Sequence, residues 1–453
     1  MRTRFQPDTP AHTPASRHRR TWARGLTGLC LGLVLAGAAC AQDNRAPVAD
    51  WEADLDAFLT VLHAEHDNPY FHTPREQFEA EIAAYREALP ELSRAERITG
   101  FAHLVALVGD GHTWMAMHPV PFDGLPPGPG FRSLPVRFEL FADGLYIVGA
   151  PSGQADLLGA RVLAFEGVPV ETAMARGLSL LPSDAVNFSD EMLPEWLMQA
   201  ELLEALDLAS TADRITLSLS FADGTTQDVQ LSPMGTDARY DWIFSRDTGP
   251  VGQEDWVRVA ERTPVWMEDV PVPSRALVVD GVAYLQILQV GNGPQSYADV
   301  AAQAVALAEQ QDRPALIIDL RRCVGGDGTL NPGLIEAITS SDALMQPGRM
   351  AVLTSRRTHS AAVMLVSALE QSTPARFYGQ PTADRPNHHG ETNIFVTPNS
   401  QLPLIHASEY YQTSTPDDDR LFVTPDVEIP EQFSDFAAGR DPVLSAALTD
   451  LKG

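Results

Sequence analysis

Lysine is all but missing from this 453-residue chain: Lys452, one residue from the C-terminus, is the only one. No lysine is therefore available as a general base in the body of the protein. Cysteine is nearly as scarce, with three, at Cys30, Cys40 and Cys323. The first two fall in an N-terminal segment that reads as a removable leader, so Cys323 stands alone and a disulfide framework is excluded. Positive charge is short overall, with a formal net charge of −28. The first 41 residues carry six arginines and one aspartate, so the remainder is near −33. So acidic a surface argues against nucleic acid and anionic membranes as partners. Apolar runs are short as well. The run over 26–39 cannot span a bilayer, and no later one can, so no membrane span is expected.

That first run has a different meaning. Arg17, Arg19, Arg20 and Arg24 precede it, and Ala39-Cys40-Ala41 offers a small-x-small cleavage site before Gln42. Residues 1–41 therefore read as a secretory signal, which predicts a periplasmic or extracellular protein. Cys40 as a lipid-modified cysteine is the less favoured alternative, because Gly37 stands where a lipoprotein signal usually has a large aliphatic residue.

The rest divides by pattern. Over 42–120, Trp51, Leu55, Phe58, Leu59 and Leu62, then Phe78, Ile82, Tyr85 and Leu89, recur at helical spacing and predict a helical N-terminal domain. A Pro/Gly-rich stretch over 119–130 marks its boundary. Residues 131–232 alternate as short strands, with a hairpin turn at Asp223-Gly224. Their glycine and aliphatic spacing resembles the PDZ pattern, with a helical insertion near 191–208. Residues 233–275 lack periodicity and read as a linker. Residues 276–453 alternate strand and helix, which implies an α/β core with a largely parallel sheet.

Two segments in that core could carry chemistry. Leu316-Ile317-Ile318-Asp319 runs through Leu320-Arg321-Arg322-Cys323-Val324 into Gly325-Gly326. Val352-Leu353-Thr354 runs through Ser355-Arg356-Arg357-Thr358-His359 into Ser360, which opens an apolar helix. Ser360 reads as a plain N-cap when taken alone. In this setting it becomes a hydroxyl nucleophile beside unpaired backbone N–H groups, those of Ala361 and of Gly325 or Gly326, which suit a developing oxyanion.

Asp319-Leu320-Arg321, Gly325-Gly326, Thr358-His359-Ser360-Ala361-Ala362 and Gly379-Gln380-Pro381-Thr382 together resemble the tail-specific, or C-terminal-processing, serine peptidases. That family includes the tricorn core and the interphotoreceptor retinoid-binding proteins. Gly109-Asp110-Gly111-His112-Thr113 is similar to a motif of its tricorn-like branch, and Pro398-Asn399-Ser400 and Pro425-Asp426 also fit. The resemblance implies a crotonase-like (ClpP-like) α/β core of repeated β-β-α units after a PDZ-like domain. It also implies a peptide or protein substrate and no metal or organic cofactor.

One branch of the family uses a Ser-Lys dyad, which Lys452 cannot supply. The other implies His112 as the base, oriented by a carboxylate just upstream of Pro425-Asp426. That position holds Asp419, with Asp417 and Asp418 close enough to compete. A carboxylate on the far nitrogen would fix the tautomer of the histidine. His359, His388 and His389 are expected as substrate contacts. Cys323 stands where the family often has asparagine. His63 and His66, with His72 nearby, match no metal-ligand spacing, and His63 and His66 read as helix decoration. The alternative on the same fold is a non-catalytic protein binding an apolar ligand or peptide.

Overall fold

The computed structural model describes residues 47–117, 128–235 and 255–453. The leader expected over 1–41, and part of the expected linker, lie outside these residues.

The strands Val282–Ile287, Leu316–Asp319 and Met350–Thr354 are buried along their whole length. Such continuous apolar runs suit parallel strands covered on both faces. They form the centre of a six-stranded sheet, with Arg376–Gly379 and Val427–Glu428 on one side and Ser274–Val279 on the other. Every pairing is parallel except that of Ser274–Val279 with Val282–Ile287. The helices Tyr297–Glu309, Asn331–Thr339 and Ala361–Ser372 pack on one face, against Leu285, Ile318, Val352 and Phe377. Pro442–Lys452 covers the other, against Tyr284, Ile317, Leu353 and Tyr378. Asp441 caps this last helix by accepting the Leu444 N–H, with Pro442 at its first position.

A second, antiparallel sheet runs in the order Arg137–Phe141, Gly144–Pro151, Arg161–Phe165, Ile215–Ser220, Thr226–Leu231. The helices Val186–Trp196 and Ala200–Ala205 interrupt it in sequence. Trp256–Arg258, inside the expected linker, is a strand paired with Gly149–Pro151. Three residues are too few to show a period, which is why the pattern missed it.

Three helices, Val48–Glu65, Arg75–Ala88 and Arg94–Ala106, make up the N-terminal segment. The third begins with a reciprocal capping box between Ser93 and Glu96. Asp54, fully buried, accepts the backbone N–H groups of Asn399 and Ser400 at 2.8 and 2.7 Å. The Pro398-Asn399-Ser400 turn is therefore a clamp on the first helix. Trp114–Met115 then pairs with Leu404 and Ile405. These two attachments carry the turn bearing His112 from the helical segment to the α/β core.

Candidate active site

The Gly-Gly turn and the serine loop leave the carboxyl ends of neighbouring parallel strands, where open α/β sheets place ligands. They are stitched together by polar side chains. Ser355 Oγ donates to the Arg321 carbonyl at 2.6 Å, and Thr358 Oγ1 donates to the Leu320 carbonyl at 3.0 Å. The His359 N–H donates to the Cys323 carbonyl at 3.1 Å. Cys323 is fully buried, and burial pushes its thiol up to about 12, so it packs rather than reacts. Asp319-Leu320-Arg321 anchors the strand end: Arg321 pairs with Asp319 and Asp441 and lies 4.7 Å over the Trp266 ring.

Ser360 sits just before the helix Ala361–Ser372 with φ 55° and ψ −128°. A serine adopts that conformation only where the surroundings enforce it, at a cost of about 1–3 kcal/mol. Its side chain caps nothing. Gly325, at φ 111°, lies directly against it: a Cβ there would stand 2.6 Å from Ser360 Cβ and 3.2 Å from the Ala361 nitrogen. Gly326, at φ 134°, faces Val290, whose carbonyl a Cβ would meet at 2.1 Å. The bridge to Val290 uses the Gly325 carbonyl and the Asp327 N–H. The N–H groups of Gly325 and Gly326 take no part in it. Ser360, Ala361, Gly325 and Gly326 line one cleft of about 560 Å³, and His112 and His359 line it too.

His112 is held by its own turn. Asp110 Oδ1 accepts the His112 N–H at 2.9 Å, and Thr113 Oγ1 accepts the Ala407 N–H at 3.1 Å. The imidazole stacks on His359 at 4.4 Å and on His388 at 5.6 Å, and Phe188 covers the other face of His359 at 4.2 Å. Neither ring nitrogen of His112 has a partner in hydrogen-bond geometry, although the nearby His389 backbone favours the protonated ring. Burial, then repulsion from His359 and His388, holds the His112 pKa well below the usual 6.5. The ring is thus neutral at neutral pH with its lone pair free, as a general base must be.

The carboxylate at this site is Asp384, which the sequence pattern stopped short of at Thr382. Its Oδ2 accepts the Ser360 N–H at 2.8 Å and lies 3.1 Å from His359 Nε2. Asp384, His112 and His388 each bring a polar atom within 4.8 Å of the others. Asp419 is exposed, does not line the cleft and makes no hydrogen bond to His112. Its neighbour Asp418 bonds Arg420, whose guanidinium holds that carboxyl far below its usual range. Asp417 is exposed as well. Arg420 in turn pairs with Glu370 at 2.9 Å, so the Asp418 charge is neutralised within its own loop. Of the expected substrate contacts, His359 lines the cleft, whereas His388 and His389 are 4% and 2% exposed and do not line it. His66 is not helix decoration either. It is buried and pairs with Asp110 at 2.9 Å.

By sequence alone the chain matches no family profile and no curated protein. By fold it is similar to mature CPAF complexed with lactacystin, at 14% identity and a TM-score of 0.57, over 89% of this chain and 97% of that one. A second structure of mature CPAF gives 13% identity and a TM-score of 0.53 over the same shares. The photosystem II D1 C-terminal processing protease is more distant, at 14% identity and a TM-score of 0.39 over 87% and 98%. The resemblance to tail-specific peptidases carried by the motifs is thus present at the level of the fold.

Proposed function

We propose that the chain is a serine peptidase acting on peptides or proteins, exported by its leader to the periplasm or beyond. Residues 276–453 serve as a crotonase-like (ClpP-like) core and 131–232 as a PDZ-like domain. The observation that carries the reading is Ser360, held at positive φ at a helix start, with Gly325 against its side chain and His112 in the same cleft wall. Ser360 Oγ attacks the peptide carbonyl, and His112 takes its proton and later gives it to the leaving amine. The N–H groups of Ala361 and of Gly325 or Gly326 receive the oxyanion. Water then releases the acyl group by the reverse proton path. Apo geometry with an unengaged base is common in such sites.

Asp384 is the carboxylate best placed to stabilise the charge that develops on His112, and it also fixes the Ser360 backbone. A role for Asp419 requires the acidic loop to close over the cleft. The test is a fluorophosphonate probe. It should label Ser360 in the folded chain, mapped by peptide mass, and the label should vanish in Ser360→Ala and His112→Ala. Failure of the folded wild-type chain to react would overturn the reading and favour a binding protein.

A further inference from the structure

The group around Asp384 has a chemistry that peptide hydrolysis does not use. His388 Nδ1 lies 2.9 Å from the Arg385 carbonyl, which places the proton on Nδ1 and turns Nε2 into a lone pair. That Nε2 is buried and has no partner. The nitrogens of His112 are buried too, and neither has a partner in full hydrogen-bond geometry, although the His389 backbone lies close to the ring; His359 Nε2 faces only the Asp384 carboxylate. The rings of His112 and His388 are nearly parallel, 7° apart. One atom each from His112, His388 and Asp384 lie within 4.8 Å of one another, and all three residues are buried.

Buried polar atoms without partners are rare, and several around one carboxylate call for a ligand that accepts lone pairs. We propose that His112, Asp384 and His388 form a binding site for a divalent transition ion, Zn²⁺ above all, whose occupancy holds the enzyme off.

Two imidazoles and a carboxylate match the donors Zn²⁺ prefers over Mg²⁺ or Ca²⁺. A ligating histidine generally gives its other N–H to a carbonyl, as His388 does to Arg385. Tetrahedral ligands at about 2.0–2.1 Å stand roughly 3.3 Å apart, so the rings need only rotate inward. His359 Nε2, 3.1 Å from Asp384 Oδ2, is in reach as a fourth ligand. The ion would take the lone pair of His112 and so remove the general base. This consequence rests on the peptidase reading, whereas the binding site does not.

The experiment titrates the metal-free chain with Co²⁺ and Zn²⁺. Co²⁺ should give the visible spectrum of a tetrahedral nitrogen and oxygen site, without the thiolate band that a cysteine site would add. Zn²⁺ should displace it in a one-to-one ratio. Asp384→Asn and His388→Gln should each weaken binding by about tenfold or more. His63→Ala, on the exposed face of the first helix, should leave binding unchanged. Equal binding by wild type and both site variants, or no stoichiometric site in wild type, would overturn the proposal. Fluorophosphonate labelling and casein hydrolysis should fall as Zn²⁺ saturates the site and return with chelator. A rise in either would overturn the off-switch. A chain that binds Co²⁺ here but never reacts with the probe would sink the peptidase reading and leave the metal site standing.

Discussion

One five-residue turn, Gly109-Asp110-Gly111-His112-Thr113, serves two histidine–carboxylate groups that solve the same problem in opposite ways. In the first, His66 Nε2 pairs with Asp110 Oδ2 at 2.9 Å, and His66 Nδ1 accepts the Asn68 N–H at 3.0 Å. Burial raises the Asp110 carboxyl, but its bond and charge pairing with His66 outweigh that, and the net shift is downward. In the second, His112 stacks on His359 near Asp384, and neither of its nitrogens makes a side-chain hydrogen bond. A fold that can saturate one buried histidine can saturate another. The unpaired group is the one that faces the cleft, and open valence is what separates a site from a strut.

The largest expected effects lie on the open side. Ser360→Ala should remove casein hydrolysis by on the order of a millionfold. Its melting curve should stay near that of wild type, because the side chain caps nothing. His112→Ala should be nearly as damaging to turnover and mild in stability. His66→Ala should do the reverse. It strands a buried carboxylate and should cost about 3–5 kcal/mol in a urea titration, with turnover per folded molecule largely kept. If His66→Ala silences a fully folded enzyme, the division between strut and site is wrong. His359→Ala should fall between the two, and a loss exceeding that of His112→Ala would make His359 the base.

A smaller step separates the two candidate carboxylates. Asp384→Asn should lower turnover by about a hundred- to ten-thousandfold, since the imidazolium loses its counter-charge. Asp419→Asn should change little, because Asp419 is exposed. Side-by-side kinetics on the two variants decide the matter. A selective loss at Asp419 would show that the acidic loop closes on His112 during turnover.

Much of this was legible beforehand, for reasons that differ by residue. The alternation of strand and helix over 276–453 and the short strands over 131–232 reappear in the structure, because each element there carries its own period and breaker. Ser360 and Gly325 could be found because backbone geometry at a strand end demands particular residue types. Asp384 could not. An aspartate after Thr382-Ala383 has no local signature, and its meaning comes from Thr358, whose carbonyl takes the Ala383 N–H, and from Ser360. The same holds for His66 and Asp110, 44 residues apart. Asp419 comes only from the family resemblance, through the carboxylate it implies upstream of Pro425-Asp426, and a resemblance in sequence does not say whether a loop lies open or closed.

The gentlest test compares the two groups by pH. Burial holds His389 down to about 4, and His112 lies well below 6.5 for the same first reason. Between about 4 and 6.5 the unfolded chain therefore binds protons that these native rings refuse, so the contribution of these two rings to stability rises with pH across that window and is flat above it, while the raised carboxyls of Asp184 and Glu195 work in the opposite sense. Asp110 behaves differently. Its carboxyl is lowered in the native state, so its contribution is complete above its unfolded value of 3.8 and is lost only as pH falls below that. The difference in Tm between wild type and a variant at each group should then separate two regions: one between about 4 and 6.5 from the buried histidines, and one below 3.8 from Asp110. His389→Gln should flatten part of the upper slope and leave the lower fall in place. A variant curve parallel to wild type through the upper window would mean that His389 is protonated in the native state, and that it belongs with the paired group.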